Sequence, residues 1–170
     1  MPLVVVAIPM STTANSYLTR AEANSYFEGR LHTDAWDDAS DSDKDKAIVM
    51  ATRLLDNMFQ WAEYPTESDQ ALQWPRIGLT ARGGLTYLDQ DTVPIEIKNA
   101  TAEFAMQLLG EDRTLDYDVE TKGIQSLRAG SVSLSFRADA QLKVIPNAVK
   151  ALIPRDWYYS RGMILELERA

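Results

Sequence analysis

Cysteine is absent from this chain of 170 residues, and histidine occurs once, as His32. The lack of cysteine excludes disulfides, thiolate nucleophiles and cysteine-ligated metal sites. One histidine cannot build a His-rich zinc site, and the serine elbow that a histidine-based hydrolase triad needs is missing. We therefore predict a surface or capping role for His32, no bound metal or cofactor, and no enzymatic activity.

Long apolar runs are also missing. No segment approaches the about 20 apolar residues that a membrane helix requires, so we expect no membrane partner. The apolar run Leu3–Ile8 has no basic flank and is too short for a signal peptide. This run instead predicts a short β-strand that needs a partner strand.

Positive charge is scarce over most of the chain. Residues 1–121 carry 9 Lys/Arg and 21 Asp/Glu, whereas residues 122–170 carry 8 Lys/Arg and 4 Asp/Glu. The acidic part repels phosphate backbones, so free DNA is a poor partner for most of the surface. The basic part could meet an acidic protein surface or DNA held nearby, or it could be a solvated face on which cations cluster by chance.

Carboxylates are abundant, yet no spacing among them selects a chemical site. Asp41, Asp43 and Asp45 imitate the first ligands of an EF-hand loop, but Lys46 and Thr52 stand where that loop requires glycine and glutamate. A solvated helix start, where the helix dipole favours acidic residues, is the better interpretation. An enzyme built on an unrecognised carboxylate pair is kept as a third alternative.

Helical periodicity predicts a mostly α fold, a small bundle of three to four helices with a β-hairpin and extended terminal arms. Thr19–Glu22 fits a capping box and places a first helix near 20–30. A second helix covers about 43–61, and a third begins at Pro94 and ends near Gly110. The predicted inward positions are Ala23, Tyr26, Phe27, Leu31, Ala47, Ile48, Ala51, Leu54, Leu55, Met58, Phe59, Ile97, Ala100, Thr101, Phe104, Ala105 and Leu108.

The C-terminal third predicts a hairpin and one more short helix. Ser131–Phe136 alternates strictly and should pair with Ile124–Arg128 across Ala129-Gly130. Pro146 opens the helix and Pro154 ends it. The helix should point Ala148, Val149, Leu152 and Ile153 inward.

The chain length favours one domain. We divide it into a helical core at 14–110, a hairpin with a short helix at 111–154 and a C-terminal arm at 155–170, in which 163–167 alternates as a strand does. Deletion of 155–170 should leave the domain folded.

The segment 62–92 reads as a long, ordered loop around the motif Trp74-Pro75-Arg76. Proline disfavours the helical conformation for the residue before it, so Trp74 should be extended. Arg82-Gly83-Gly84 predicts a tight turn inside a small hairpin between Leu79 and Tyr87.

Tryptophan side chains could stack on nucleic-acid bases or fill the core. We favour core packing for Trp61 and Trp74, which flank a helix and a proline turn. Trp36 and Trp157 are the other two. The three adjacent aromatics Trp157-Tyr158-Tyr159 cannot all face one core if the segment is extended, so at least one should be exposed or meet a partner.

Several motifs occur in a specific order over residues 14–110. These are Ala14–Thr19 with Glu22 and Tyr26-Phe27, Leu31-His32 with Trp36, Ala51-Thr52-Arg53 with Leu55-Asp56, Gln70–Gly78 around Trp74-Pro75-Arg76, and Val93-Pro94 with Ile97 and Ala100. In this order they resemble the head–tail connector, or adaptor, proteins of tailed bacteriophages, which are often labelled DnaT-like single-stranded DNA-binding proteins.

The resemblance implies a structural protein of the virion neck, present in the host cytoplasm during assembly. Copies of it would form a ring, roughly a dodecamer, below the portal protein. The ring would extend the channel for genomic DNA without sequence-specific binding and receive the stopper or tail-completion protein. The residues that it places at the subunit or portal interface are Val132, Leu134, Phe136, Arg155, Trp157, Tyr158, Tyr159, Arg161, Ile164, Leu165 and Leu167, with Trp74, Pro75 and Arg76 as a structural loop.

The alternative function is a single-stranded DNA-binding protein. It would use Arg128, Arg137 and Lys143 together with the cluster Trp157-Tyr158-Tyr159. The negative net charge and the absence of an OB-fold pattern argue against it.

Overall fold

A computed structural model of the protein describes residues 3–114, 126–129, 132–135 and 144–159. Helices dominate these ranges and the strands pair only into short two-stranded sheets, so the predicted mostly α fold is confirmed. The helices are α1 (Arg20–Phe27), α2 (Asp34–Asp37), α3 (Asp41–Met58), α4 (Ile95–Gly110) and α5 (Asn147–Leu152), followed by a 3₁₀ turn at Arg155–Trp157. The strands are β1 (Gln60–Trp61), β2 (Tyr64–Pro65), β3 (Arg76–Ile77), β4 (Ser126–Ala129), β5 (Val132–Ser135) and β6 (Tyr158–Tyr159).

Side-chain caps fix the starts of α1 and α3. The Thr19 hydroxyl accepts a hydrogen bond from the Glu22 amide at 3.2 Å, and the Glu22 carboxylate accepts one from the Thr19 amide at 2.7 Å, which confirms the predicted capping box. The Ser40 hydroxyl caps α3 by accepting a hydrogen bond from the Asp43 amide. The first turn of α3 also carries Asp41, so acidic residues meet the positive end of the helix dipole.

Helix α4 forms the centre of the fold, because α1, α2, α3 and α5 all pack against it. Apolar side chains lie on several faces of α4, as expected for a buried helix. Ile97, Ala100 and Phe104 are fully buried. Pro94 stands before the helix as its N-cap and is not its first residue, and Gly110 is its last residue, so both predicted ends are displaced by about one position.

Three residues that were predicted to point inward are exposed. Leu31 is 80% exposed because α1 already ends at Phe27 and His32, at φ 61°, turns the chain. Met58 is the last residue of α3 and lies largely outside the core. In α5 the core contact is made by Val149, and Ala148 faces solvent.

The predicted N-terminal strand is wrong. Residues 3–8 are extended, but within the described ranges they pair with no strand. The side chain of Asn15 stands in for a partner: its Oδ1 accepts a hydrogen bond from the Val6 amide and its Nδ2 donates to the Val4 carbonyl, both at 2.8 Å. A turn at Met10, with φ 60°, brings Asn15 back alongside the segment. One edge of this segment is therefore satisfied within the chain itself.

The hairpin of the C-terminal third is present, with a different connection. Strands β4 and β5 are antiparallel, and Ala129 lies opposite Val132. Ala129 therefore belongs to β4, whereas we expected it in the connection as Ala129-Gly130. Alanine followed by glycine is not a favoured sequence for a two-residue hairpin. The predicted strand at 163–167 lies outside the described residues.

The long segment 62–92 is ordered by short pairings. β2 pairs with β3, and an isolated bridge joins Thr80 to Tyr87, so the predicted small hairpin is confirmed. Gly83 and Gly84 both have positive φ at its tip, where residues with a Cβ are disfavoured. The peptide bond between Trp74 and Pro75 is cis.

The start of the predicted C-terminal arm is packed on the core through Trp157 and Tyr158. Trp157 has no exposed surface, and β6 pairs with β1, with Tyr158 opposite Trp61. Tyr159 is 57% exposed, which agrees with the expectation that the three adjacent aromatics cannot share one core. Deletion of the whole range 155–170 would remove Trp157 and should destabilise the domain, contrary to our expectation from the sequence.

Truncation of Trp157 tests this packing. Trp157→Ala should lower the free energy of unfolding by about 3–5 kcal/mol, because it removes a fully buried indole. Tyr159→Ala is the matched control and should cost about 0.5 kcal/mol or less, since that ring is mostly exposed. Urea unfolding followed by circular dichroism measures both; equal costs would contradict the placement of Trp157.

Candidate functional site

Five aromatic side chains pack together where α3 ends, and we call this cluster the aromatic anchor. The ring centroid of Trp74 lies 5.3 Å from that of Trp61 and 5.2 Å from that of Trp157. The Phe59 ring lies 4.9 Å from Trp61 and 4.7 Å from Tyr158. The anchor therefore joins three segments that are distant in sequence: the end of α3, the Trp-Pro-Arg loop and the C-terminal residues.

Hydrogen bonds fix Trp157 from two sides. Its indole N–H donates to the Thr80 carbonyl at 2.9 Å, and its own carbonyl accepts from the Ala62 amide at 2.9 Å. The indole N–H groups of Trp61 and Trp74 have no acceptor in the part of the chain that the structure describes. Trp157 is thus the tryptophan of the anchor that holds the 80–87 hairpin in place.

The guanidinium of Arg76 ties the same region together through the backbone. It donates to the carbonyls of Ala62 at 2.7 Å, Gln73 at 2.9 Å and Glu63. A planar fork with five N–H donors suits three converging carbonyls, which a lysine could not bind in the same way. Burial lowers the pKa of Arg76, but arginine still stays protonated. The Trp-Pro-Arg motif thus supplies Trp74 to the anchor and, through Arg76, the hydrogen bonds that hold the surrounding backbone.

Asp56 connects α3 to this loop and to the N-terminal segment. Its carboxylate accepts hydrogen bonds from the Tyr17 hydroxyl and from the Gln73 amide, the latter at 3.2 Å. Burial raises the pKa of Asp56 to about 6, although these hydrogen bonds and the nearby Arg76 act in the opposite direction. Burial, followed by the charge of Asp56, raises the pKa of Tyr17 well above its usual value. A titratable carboxyl therefore lies within the framework under the anchor.

The residues predicted at the assembly interface are only partly brought together. Arg155 and Tyr159 are exposed and Tyr158 is half-buried, so these three can still meet a partner. Trp157 is buried inside the domain and has no surface to offer. Val132 and Leu134 lie on β5. The remaining predicted interface residues, Phe136, Arg161, Ile164, Leu165 and Leu167, lie outside the described residues.

The structure describes only some of the residues of the alternative function. All four tryptophans are buried, at 6% exposure or less, so none of their rings is available to stack on a base. The tyrosines that are more than half exposed in the described ranges are Tyr64, Tyr87 and Tyr159. Arg128 lies on β4, and Arg137 and Lys143 lie outside the described residues.

One group of cations was missed in the sequence because its members are far apart along the chain. The guanidinium of Arg82, at the tip of the 80–87 hairpin, donates to the Leu152 carbonyl at 3.1 Å across the end of α5. Lys150 and Arg155 flank that carbonyl in sequence, and both are exposed. We call Arg82, Lys150 and Arg155 the cationic pole. No local motif predicts it, because the hydrogen bonds from Trp157 to Thr80 and from Arg82 to Leu152 join residues that are 77 and 70 positions apart.

The acidic start of α3 is arranged as a solvated helix end. Asp41 and Asp45 both pair with Arg20, and Asp43 pairs with Lys46 at 2.8 Å. The hydrogen bond from Lys46 lowers the pKa of Asp43. Within the described ranges, no cluster of three or more acidic, histidine or cysteine side chains has the geometry to hold a metal ion. Among the helices that the structure describes, none is long and apolar enough to cross a membrane.

The raised pKa of Asp56 predicts a pH-dependent stability. Its folded-state pKa of about 6 exceeds the unfolded value of about 3.9, so the folded state binds the proton more tightly. The raised pKa contributes on the order of 2 kcal/mol to the free energy of unfolding. This contribution is fully present below about pH 4 and is lost as pH rises through about 6. The Asp56→Asn variant lacks this titratable carboxyl. In urea unfolding between pH 4 and pH 7, its free energy of unfolding should therefore rise relative to that of the wild type as pH rises. Parallel pH profiles would contradict the burial of this carboxyl.

Comparison with known proteins yields one match. The model of a family described as "Putative DnaT-like ssDNA binding protein" matches residues 1–170. No curated protein and no solved structure matches the chain. Because the match extends over the whole chain, this protein belongs to the family described as DnaT-like single-stranded DNA-binding proteins.

Proposed function

We propose that this protein is a structural adaptor in the neck of a tailed bacteriophage, where copies of it form a ring between the portal protein and the stopper or tail. The aromatic anchor carries the proposal. It fixes the chain on the core up to Tyr159, whose ring is mostly exposed. Tyr159 is therefore a fixed point on the surface, as a protein that docks through this end of the described chain requires.

The charge of the protein supports the same proposal. The chain carries a net charge of −8, and the acidic excess lies in residues 1–121. A ring with a largely acidic lumen would let DNA pass without adhering to the wall, because like charges repel across the channel. All four tryptophans are buried in the core, so none of their rings can stack on a base.

Single-stranded DNA binding is the second candidate, and the family description favours it directly. The cationic pole adds a physical reason, since its member Arg82 and the exposed ring of Tyr87 belong to the same 80–87 hairpin. Cations that follow a phosphate backbone, combined with an aromatic platform, are the usual elements of a single-strand site. The comparison taken alone therefore favours this candidate, while the charge and the buried tryptophans favour the adaptor.

Docking on phage heads tests the adaptor proposal. The full chain should co-sediment with DNA-filled, tailless heads that display their portal, while a chain truncated after Tyr159 should stay in the supernatant. The truncation keeps Trp157 and the whole aromatic anchor, so its urea transition should match that of the full chain. Equal docking by both chains, or no docking by the full chain, would contradict the proposal.

Oligonucleotide binding separates the two candidates. In a fluorescence anisotropy titration with a labelled single strand, the adaptor predicts a dissociation constant weaker than about 10⁻⁴ M at physiological salt, the weak end of non-specific binding. Submicromolar binding that weakens steeply with added salt would instead support single-stranded DNA binding. Lysozyme, a cationic protein of similar size, serves as the positive control for non-specific adsorption.

A further inference from the structure

Some cations of the described chain already have a partner. Arg20, Arg30, Lys46 and Lys98 each form an ion pair, and Arg76 is buried against backbone carbonyls. No member of the cationic pole forms an ion pair within the described ranges. A neighbouring carboxylate, Asp156, is exposed and offsets only part of this charge. The pole is thus a positive surface on an otherwise acidic protein.

A second surface carries the opposite charge. Asp34, Asp37 and Asp38, which we call the acidic pole, are exposed on α2 and just after it. None of them forms an ion pair with another described residue, and Thr33 donates a single hydroxyl hydrogen bond to Asp37. Like the cationic pole, this surface has charges that the subunit itself leaves uncompensated.

The two poles lie at opposite ends of α3. The acidic pole immediately precedes Ser40, the N-cap of the helix. In the cationic pole, Arg155 is two residues before Trp157 and Arg82 is two residues after Thr80, which accepts the Trp157 hydrogen bond. Trp157 packs in the anchor formed just after the helix ends at Met58. The 18 residues of α3 make a rod of about 27 Å, so the opposite charges are held apart by the core and cannot neutralise each other within one subunit.

We propose that neighbouring copies of this chain associate head to tail, with the cationic pole of one copy on the acidic pole of the next. Contact between two different patches of the same subunit is heterologous, and such contacts generate a ring when the rotation closes. The inference rests on the proposed adaptor function for its ring, but the pairing of the poles stands on the charge distribution alone. Because both poles are solvent-exposed, the attraction sets orientation and is sensitive to salt.

Charge reversal with recombination of the variants tests the pairing. The first variant, Arg82→Glu/Lys150→Glu/Arg155→Glu, has two acidic poles, and the second, Asp34→Lys/Asp37→Lys/Asp38→Lys, has two basic poles. In light scattering coupled to size-exclusion chromatography at about 0.1 M salt, the wild type should self-associate and each variant should be monomeric. An equimolar mixture should associate again, because each acidic pole then meets a basic one. At about 1 M salt, where the Debye length falls to about 3 Å, the wild type should dissociate.

Two single substitutions with the same change in net charge serve as a control. Arg155→Glu should weaken association of the full chain about tenfold, while Arg53→Glu, an exposed arginine in the middle of α3 without an ion pair in the described ranges, should leave it within about twofold. Circular dichroism confirms that the exposed substitutions leave the fold intact.

Three results would overturn the pairing: a wild type that is monomeric at about 0.1 M salt and high protein concentration, variants that associate like the wild type, or a mixture that stays monomeric. Loss of single-stranded DNA binding on reversal of the cationic pole, without any self-association of the wild type, would assign that pole to nucleic acid instead. A monomeric wild type that still docks on phage heads would refute the pairing of the poles and leave the adaptor proposal standing. Salt-sensitive self-association of the wild type without docking on phage heads would refute the adaptor proposal and leave the pairing of the poles standing.

Discussion

The burial of Trp157 is the interaction on which the rest of the structure depends. Its ring closes the aromatic anchor against Trp74, its carbonyl pairs with Ala62, and its indole N–H holds Thr80. Burying a side chain of this size stabilises the fold by about 3–5 kcal/mol, a large part of the about 5–15 kcal/mol by which a small domain is stable. One residue near the C-terminus thereby fixes the Trp-Pro-Arg loop, the 80–87 hairpin and the point from which the chain continues.

Both candidate assembly surfaces follow from that constraint. Because the hairpin is held on Trp157, Arg82 reaches the end of α5, and the cationic pole exists only in the folded domain. Because Tyr159 comes directly after two anchored residues, its exposed ring has a defined position on the surface. The helical core with α4 at its centre supplies rigidity and keeps the two charged poles apart. The proposed functions therefore depend on where these surfaces are placed.

The sequence predicted what is local and periodic. The capping box at Thr19, the stripe of α3 and the burial of Trp61 and Trp74 each follow from spacing within a few residues, and the structure confirms them. Prediction failed where a long-range contact decides. The segment 3–8 has the pattern of a strand, but Asn15 satisfies its backbone. The sequence placed Trp157 in a C-terminal arm at an assembly interface. Its hydrogen-bond partner Thr80 lies 77 residues away in the sequence, so no local pattern could predict its burial. For Arg82 the sequence predicted the tight turn but not the contact with α5.

Native-state hydrogen exchange at Trp157 tests most directly whether the C-terminal residues are locked into the core. The indole N–H of Trp157 and the amide of Ala62, which donates to the Trp157 carbonyl, should exchange only through global unfolding, with protection equal to that of the amides at the centre of α4. The amide of Leu31, on an exposed segment, provides the fast reference within the same sample. Exchange of Trp157 and Ala62 as fast as that of Leu31 would show that the arm detaches, and would contradict the anchored structure and the surfaces built on it.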